Sequence, residues 1–374
     1  MKIDPGTYRL DDAYRAAHLL DWRSNTPRED VEIGPGDYGL APGDYGGKAA
    51  SLLSVGRLGG AAGRKIWIHD SKLTGNAKGS NQDTQQSALI KVHGALEGLT
   101  VEDSEIFDVA SDGIKFGGGE SGLARDLVVR RVKAHDCGRA LVVLQSGAHG
   151  VTIEEVETHS MRKGAIDVEA TSKTLPGPRN VAIRDSRLRC AEDGWDHRPE
   201  FGVSLGGAGD DDLMLSGVEL TNVECDSGLW IRDAEKINAC SVTFDGPKFG
   251  LFLNKIVDML RVSRGTFRGV HGGGKISFHG NGRPERLTFV DCRFLTTDRV
   301  GLEIDSAWDL RFVRCYFGGS KAGVSITNAL KGVRVGRLHM IDCTATSSTL
   351  CRVQSRDDNP DKIVDVVVNG ERLA

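Results

Sequence analysis

The sequence predicts an all-β fold, a right-handed parallel β-helix of about eleven coils preceded by a short N-terminal capping helix. Three observations lead there. Two short strand patterns alternate from Arg64 to about Pro360, a small or β-branched residue returns at one place in the first of them, and the spacing leaves no room for crossover helices. A leucine-rich repeat would need a Leu/Asn consensus that is absent, and a propeller would need four strands per blade and a longer period.

In chain order, residues 1–62 are expected to form the cap helix and an entry coil. Asp11 and Asp12 stand at a helix start, and Ala13, Ala16, Ala17 and Leu20 follow at helical spacing. That gives one small apolar face, suited to covering the open end of a solenoid. Residues 63–360 hold the coils. The first pattern includes "IWIHDSKL", "LTVEDSEIF", "LMLSGVEL" and "LRFVRCYF", with a small position read as Ser71, Ser104, Val132, Val156, Ser186, Val218, Gly265, Cys292 and Cys315. Stacked along the axis, such residues make an inward ladder with rungs about 4.8 Å apart. The second pattern includes "DGIKFG", "RALVVL", "GAIDVE", "SGLWIR", "FGLFLN" and "GKISFH", in which apolar residues alternate with variable ones that meet solvent. Residues 361–374, "DKIVDVVVNGERLA", read as a closing strand and hairpin turning at Asn369-Gly370.

Composition bounds the function. With 374 residues, 39% hydrophobic and 27% charged, the chain can bury a sizeable core. Its net charge of −4 is mixed along the whole length, which argues against nucleic acid or a membrane surface as partner. No apolar run reaches the roughly 18 residues of a membrane span, so no membrane insertion is expected. The polar start "MKIDPGTYRL" lacks the apolar stretch of a secretory signal. An extracellular or virion-associated place is expected all the same, through a removed leader or release with a virus particle. Eight cysteines are spread singly without metal spacing, so neither disulfides nor a metal site is expected.

The helix at Asp12, Ala13, Ala16 and Ala17, followed by Val31, Ile33, Pro35, Gly36 and Tyr38 in "VEIGPGDYGL", resembles the entry of pectate-lyase-like parallel β-helix proteins. With the coils behind it, the resemblance covers nearly the whole chain. It implies the fold, and an association with polysaccharide lyases, glycoside hydrolases, epimerases, phage tailspikes or silent structural proteins. Tailspike-like membership would imply a homotrimer or virion components as partners. "ASDGIKF" is similar to the Gly-Asp-Asp strand of polygalacturonase-like hydrolases only in Asp112, because Ser111 stands where an acid is needed.

Function is then sought on the outward face of the second pattern. One outward column reads Lys115, Val142, Asp167, Ser204, Trp230, Phe252, Ser277, Glu303 and Ser325, and the next reads Gly117, Leu144, Glu169, Gly206, Arg232, Asn254, His279, Asp305 and Thr327. Trp230 and Phe252 offer flat apolar faces for pyranose rings, and Asn254, Glu303, Asp305 and Lys115 offer polar partners, so a polysaccharide is the expected ligand. For β-elimination from a uronate polymer, Arg232 would neutralise the sugar carboxylate and His279 would act as base or acid. For hydrolysis, Asp167 and Glu169 would be the carboxylate pair. Elimination is favoured, because Arg232 and His279 are placed beside the aromatics. A non-catalytic, glycan-binding virion or surface protein is the alternative. Three insertions, "EATSKTLPGP", "CAEDGWDHRPEF" and "GGAGDDD", border the strip. Asp210, Asp211 and Asp212 offer oxygen ligands for calcium but lack EF-hand spacing, and no cofactor is expected.

Overall fold

Each coil turns a sharp corner on one residue in the left-handed region. In the computed structural model, Asp70, Asp103, Arg131, Glu155 and Asp185 take φ between 48° and 51° at this place, and so do Asp291 and Arg314 at 53° and 50°. A non-glycine residue pays about 1–2 kcal/mol for this conformation, least where a short Asp or Asn side chain can bond locally. Neighbouring corners offset part of that cost. Arg131 donates two hydrogen bonds to Asp103 at 2.6 and 2.7 Å, and Arg314 donates two to Asp291 at 2.7 and 2.8 Å.

The structure describes residues 2–3, 6–10, 18–22, 30–40, 51–55, 65–75, 88–117, 122–172, 174–190, 199–207, 213–277, 284–328, 335–355 and 363–373. Those residues are strands and turns, without an α-helix. The chain divides into unit 1, Met1–Pro199, and unit 2, Glu200–Ala374. Each is built from three parallel sheets, to which every coil contributes one strand apiece. The corner residue joins the first sheet to the second.

In unit 1 the first sheet includes Ile66–His69, Leu99–Glu102, Ala124–Arg130 and Ala148–Glu154. The second includes Ser71–Thr74, Glu105–Val109 and Lys133–Cys137, and the third includes Ser51–Val55, Ala88–His93, Asp112–Gly117, Val142–Leu144 and Ile166–Glu169. Register keeps like with like: Ile68, Val101, Val129, Ile153 and Ile183 align rung on rung, all buried. Pairing already begins at Lys2–Ile3, Gly6–Leu10 and His18–Trp22, which lie parallel to Val31–Ile33, Gly36–Leu40 and Ser51–Val55. The expected cap helix is therefore corrected at its end, since Leu20 lies in a strand. Its start, Asp11 to Ala17, falls outside the described residues.

In unit 2 the core is aromatic. Phe244, Phe267, Phe294 and Phe317 stack on the second sheet with centroids 6.3, 5.4 and 5.4 Å apart, and Phe289 and Phe312 stack at 5.1 Å on the first. All six are fully buried. The small position after the corner carries Cys292, Cys315 and Cys343, whose thiols donate to backbone carbonyls of their own and the preceding coil. Val218 does not belong to that column. It pairs with Ile237 inside a first-sheet strand, and Val223, after the corner residue Asn222 at φ 53°, takes the small position. The last strand, Ile363–Val368, turns through Asn369 and Gly370, both at positive φ, into the antiparallel Glu371–Arg372.

Candidate functional site

The third sheet of unit 2 carries an aromatic wall. Its strands are Phe201–Gly206, Gly228–Cys240, Phe249–Ser263, Gly272–Ser277, Val300–Ile304 and Ala322–Asn328. Leu229 and Ile231 enter the core, so strand alternation turns Trp230 and Arg232 outward. Trp230 stacks on Phe201 at 5.5 Å, Phe201 faces Phe252 at 5.9 Å, and Phe252 faces Phe249 at 6.0 Å. All four rings are half-buried. Trp230 donates its indole N–H to Asn254 Oδ1 at 3.2 Å.

Arg232 lies over this wall with its guanidinium carbon 4.5 Å from the Trp230 centroid, a cation–π contact. Its Nε is buried and has no hydrogen-bond partner. A buried donor left unmade costs about 1–3 kcal/mol, which an anionic oxygen of a ligand would recover. Next along the column come Lys275 and Glu303, in register with Phe252. Lys275 Nζ is 3.5 Å from Glu303 and 3.3 Å from Asp305, and Asp305 also accepts from Ser277 at 3.1 Å. These charges are already paired within the protein; the Arg232 Nε is not.

Register corrects the expected columns in two places. Val143, not Val142, pairs between Lys115 and Asp167 in the outward column, though it is itself fully buried, while Val142 and Leu144 pair with Ile114 and Phe116 in the core. Ser277, not His279, pairs with Asn254, and Lys275 takes the place read as Ser277. His279 itself is outside the described residues, as are His197 and Asp210 to Asp212. Phe201, Phe249 and Lys275 escaped the sequence reading. The two phenylalanines each open a strand and are followed by glycine, and that repeated "FG" was the available signal.

Unit 1 holds a different cluster on its third sheet. Arg139, nearly buried, lies 3.6 Å from Asp112, 2.8 Å from Asp167 and 3.3 Å from Glu169. Gln145 holds the other Glu169 oxygen at 3.0 Å. Asp167 and Glu169 thus share one guanidinium nitrogen, which pairs both carboxylates within the protein. Asp112 is fully buried and neither of its oxygens has a hydrogen-bond partner. Burial pushes its pKa up to about 7, against the pull of Arg139 and Lys115. Lys115 lies almost buried beside Lys91 in the same column. With no accessible surface, Asp112 can act on a ligand only through Arg139, as a positioning residue.

No family model matches the chain, and no curated protein does. Among solved structures it is similar to the A-module of the Azotobacter vinelandii mannuronan C-5 epimerase AlgE6, with TM-score 0.59 and 10% identity over 91% of this chain and 90% of that one. The A-module of AlgE4 from the same organism gives 0.50 and 11% over 91% of each. The periplasmic alginate epimerase AlgG gives 0.50 and 9% over 87% of this chain and 76% of that one. Likeness at this identity establishes the architecture alone: the chain has the right-handed parallel β-helix fold.

Proposed function

We propose that the chain binds an acidic polysaccharide along the third sheet of unit 2 and breaks it by β-elimination at a uronate residue. The observation that carries the reading is Arg232, a cation stacked on an aromatic wall with a buried donor unpartnered. Sugar rings stack on Trp230 and Phe252, and Arg232 takes the carboxylate. Neutralising that carboxylate acidifies the proton on the adjacent carbon. A base removes the C5 proton, the electron pair forms the C4–C5 double bond, and the C4–oxygen bond breaks with protonation of the leaving oxygen. His279, two residues past Ser277, is the candidate base. The three similar structures are named as epimerases of mannuronan or alginate, and C5 epimerisation would begin with the same proton removal.

The test is incubation with a panel of uronans while following ultraviolet absorbance of unsaturated uronate. Rising absorbance, lost in Arg232→Ala and His279→Ala proteins, supports elimination. Reducing ends without absorbance would mean hydrolysis, deuterium uptake from D2O without cleavage would mean epimerisation, and binding alone would mean a recognition module. Each of those three outcomes overturns the elimination reading. Failure of every uronan to bind overturns the ligand class.

A further inference from the structure

A second groove lies on the first sheet of unit 2, on strands whose outward residues the Trp230 wall does not use. It encloses about 420 Å³, within the range of small-ligand pockets. Its floor is set by register: Glu219, Asn238, Arg261, Thr288 and Arg311 occupy one outward column on successive coils. Thr221, Cys240, Ser263 and Val290 occupy the column beside it. Five rungs give a track of about 19 Å.

The charges on this track are distinctive. Arg261 and Arg311 are exposed, and neither has an acidic partner among the described residues. Neighbouring side chains are committed: Arg286 pairs with Asp258, Arg314 pairs with Asp291, and the His339 ring, the rung beyond Arg311, lies 3.4 Å from Asp365. Two free guanidinium groups two rungs apart are separated by about 10 Å, with the Thr288 hydroxyl between them and the Asn238 amide one rung before. In a flat ribbon of 1,4-linked uronates, successive carboxylates point to alternate sides. Every second carboxylate therefore faces the same way, and a chain lying along the coils presents its acids to Arg261 and Arg311 in turn.

We infer that this groove is a second binding site for an acidic oligosaccharide, with Arg261 and Arg311 taking carboxylates and Asn238 and Thr288 taking hydroxyls. The ligand class rests on the function proposed above; the site is independent of the Trp230 wall. It would hold a second stretch of polymer against unit 2, raising residence time through effective concentration.

Cys240 provides the readout. Its half-buried thiol lies on the groove and accepts a hydrogen bond from Arg264 Nη2 at 2.9 Å. A hydrogen bond from Ser263, aided by Ser241 and the Arg264 charge, holds its pKa below the ordinary thiol value. In a Trp230→Ala protein, saturating oligomannuronate, whose diequatorial 1,4 linkages give the flat ribbon, is expected to slow iodoacetamide alkylation of Cys240, mapped by mass spectrometry. Replacing Arg261 and Arg311 with Gln should raise the half-protecting concentration about tenfold or more, with an unchanged melting temperature. Lack of protection in Trp230→Ala protein overturns the second site, whether or not the parent protein binds at the wall. Equal protection by sodium sulfate at matched charge also overturns it, leaving only an adventitious anion site. Protection that persists after loss of wall binding supports the groove as a site independent of the wall.

Discussion

Trp230 and Leu229 are chain neighbours with opposite duties, and replacing each by Ala separates them. Leu229 is 1% exposed, and its loss leaves a core cavity worth roughly 2–5 kcal/mol of stability. Trp230→Ala should weaken glycan binding by about 1–3 kcal/mol. Its cost in stability should be smaller, about 0.5–1.5 kcal/mol for the lost stack on Phe201. Thermal melting beside a binding isotherm checks both; a stability loss larger for Trp230 than for Leu229 would mean the strand faces the other way. Asp112 gives a pH signature of its own. Its folded pKa is raised from 3.8 to about 7, so the stability it contributes is fully present below 3.8 and is lost as pH rises through 7. Acidifying from pH 7 towards 5 should therefore stabilise unit 1 through this group, by at most ~1.4 kcal/mol per pH unit. Asp112→Asn should flatten that slope, as read from denaturant midpoints at the two pH values.

At the scale of elements, the ladders make a prediction about thiols. All eight cysteines are free, and only Cys240 and Cys351 are half-buried. Burial holds the Cys351 pKa up to about 11, and a hydrogen bond with Cys292 holds that of Cys315 up to about 12. Thiol titration of the native protein should therefore find Cys240 reacting first, with Cys292, Cys315 and Cys343 silent until denaturant is added. Prompt labelling of all eight would overturn the ladder. These ladders were legible in the sequence because parallel stacking puts the same residue type on the same rung, so Phe294 over Phe317 and Cys292 over Cys315 read as a repeat. Register failed where a coil broke its own rhythm. "GGGKIS" supplies Gly274 at the rung of Leu251 and Leu302, where the others place an apolar residue, and this displaced the reading by one pleat. "RALVVL" has five apolar residues in six positions, which leaves the facing undecided by alternation alone. The Arg139 cluster was hidden for another reason. Arg139 precedes its strand, so no alternation rule assigns it a face, and only the coil geometry brings it to Asp167 and Glu169.

At the scale of the whole molecule, charge decides what kind of attraction is available. A net charge of −4 repels a polyanion at long range, so binding to a uronan has to come from local cations. In unit 2 the unsatisfied Arg232 donor and the unpaired Arg261 and Arg311 can supply it, each by a short charge-assisted contact. This arrangement predicts two dependences that a diffuse basic surface would not combine. Exposed groove contacts should weaken as ionic strength rises, since the Debye length falls from ~10 Å at 0.1 M to ~3 Å at 1 M. The half-buried Arg232 contact over Trp230 should resist screening, so wall binding should persist in salt that abolishes protection of Cys240. Methyl-esterified uronan, which keeps the sugar faces but loses the charge, should stack on Trp230 weakly and fail to protect Cys240 at any salt. Titration of charged and esterified polymers at two ionic strengths checks this. Equal affinity for both would show that ring stacking alone carries recognition, and would remove the guanidinium groups from the account.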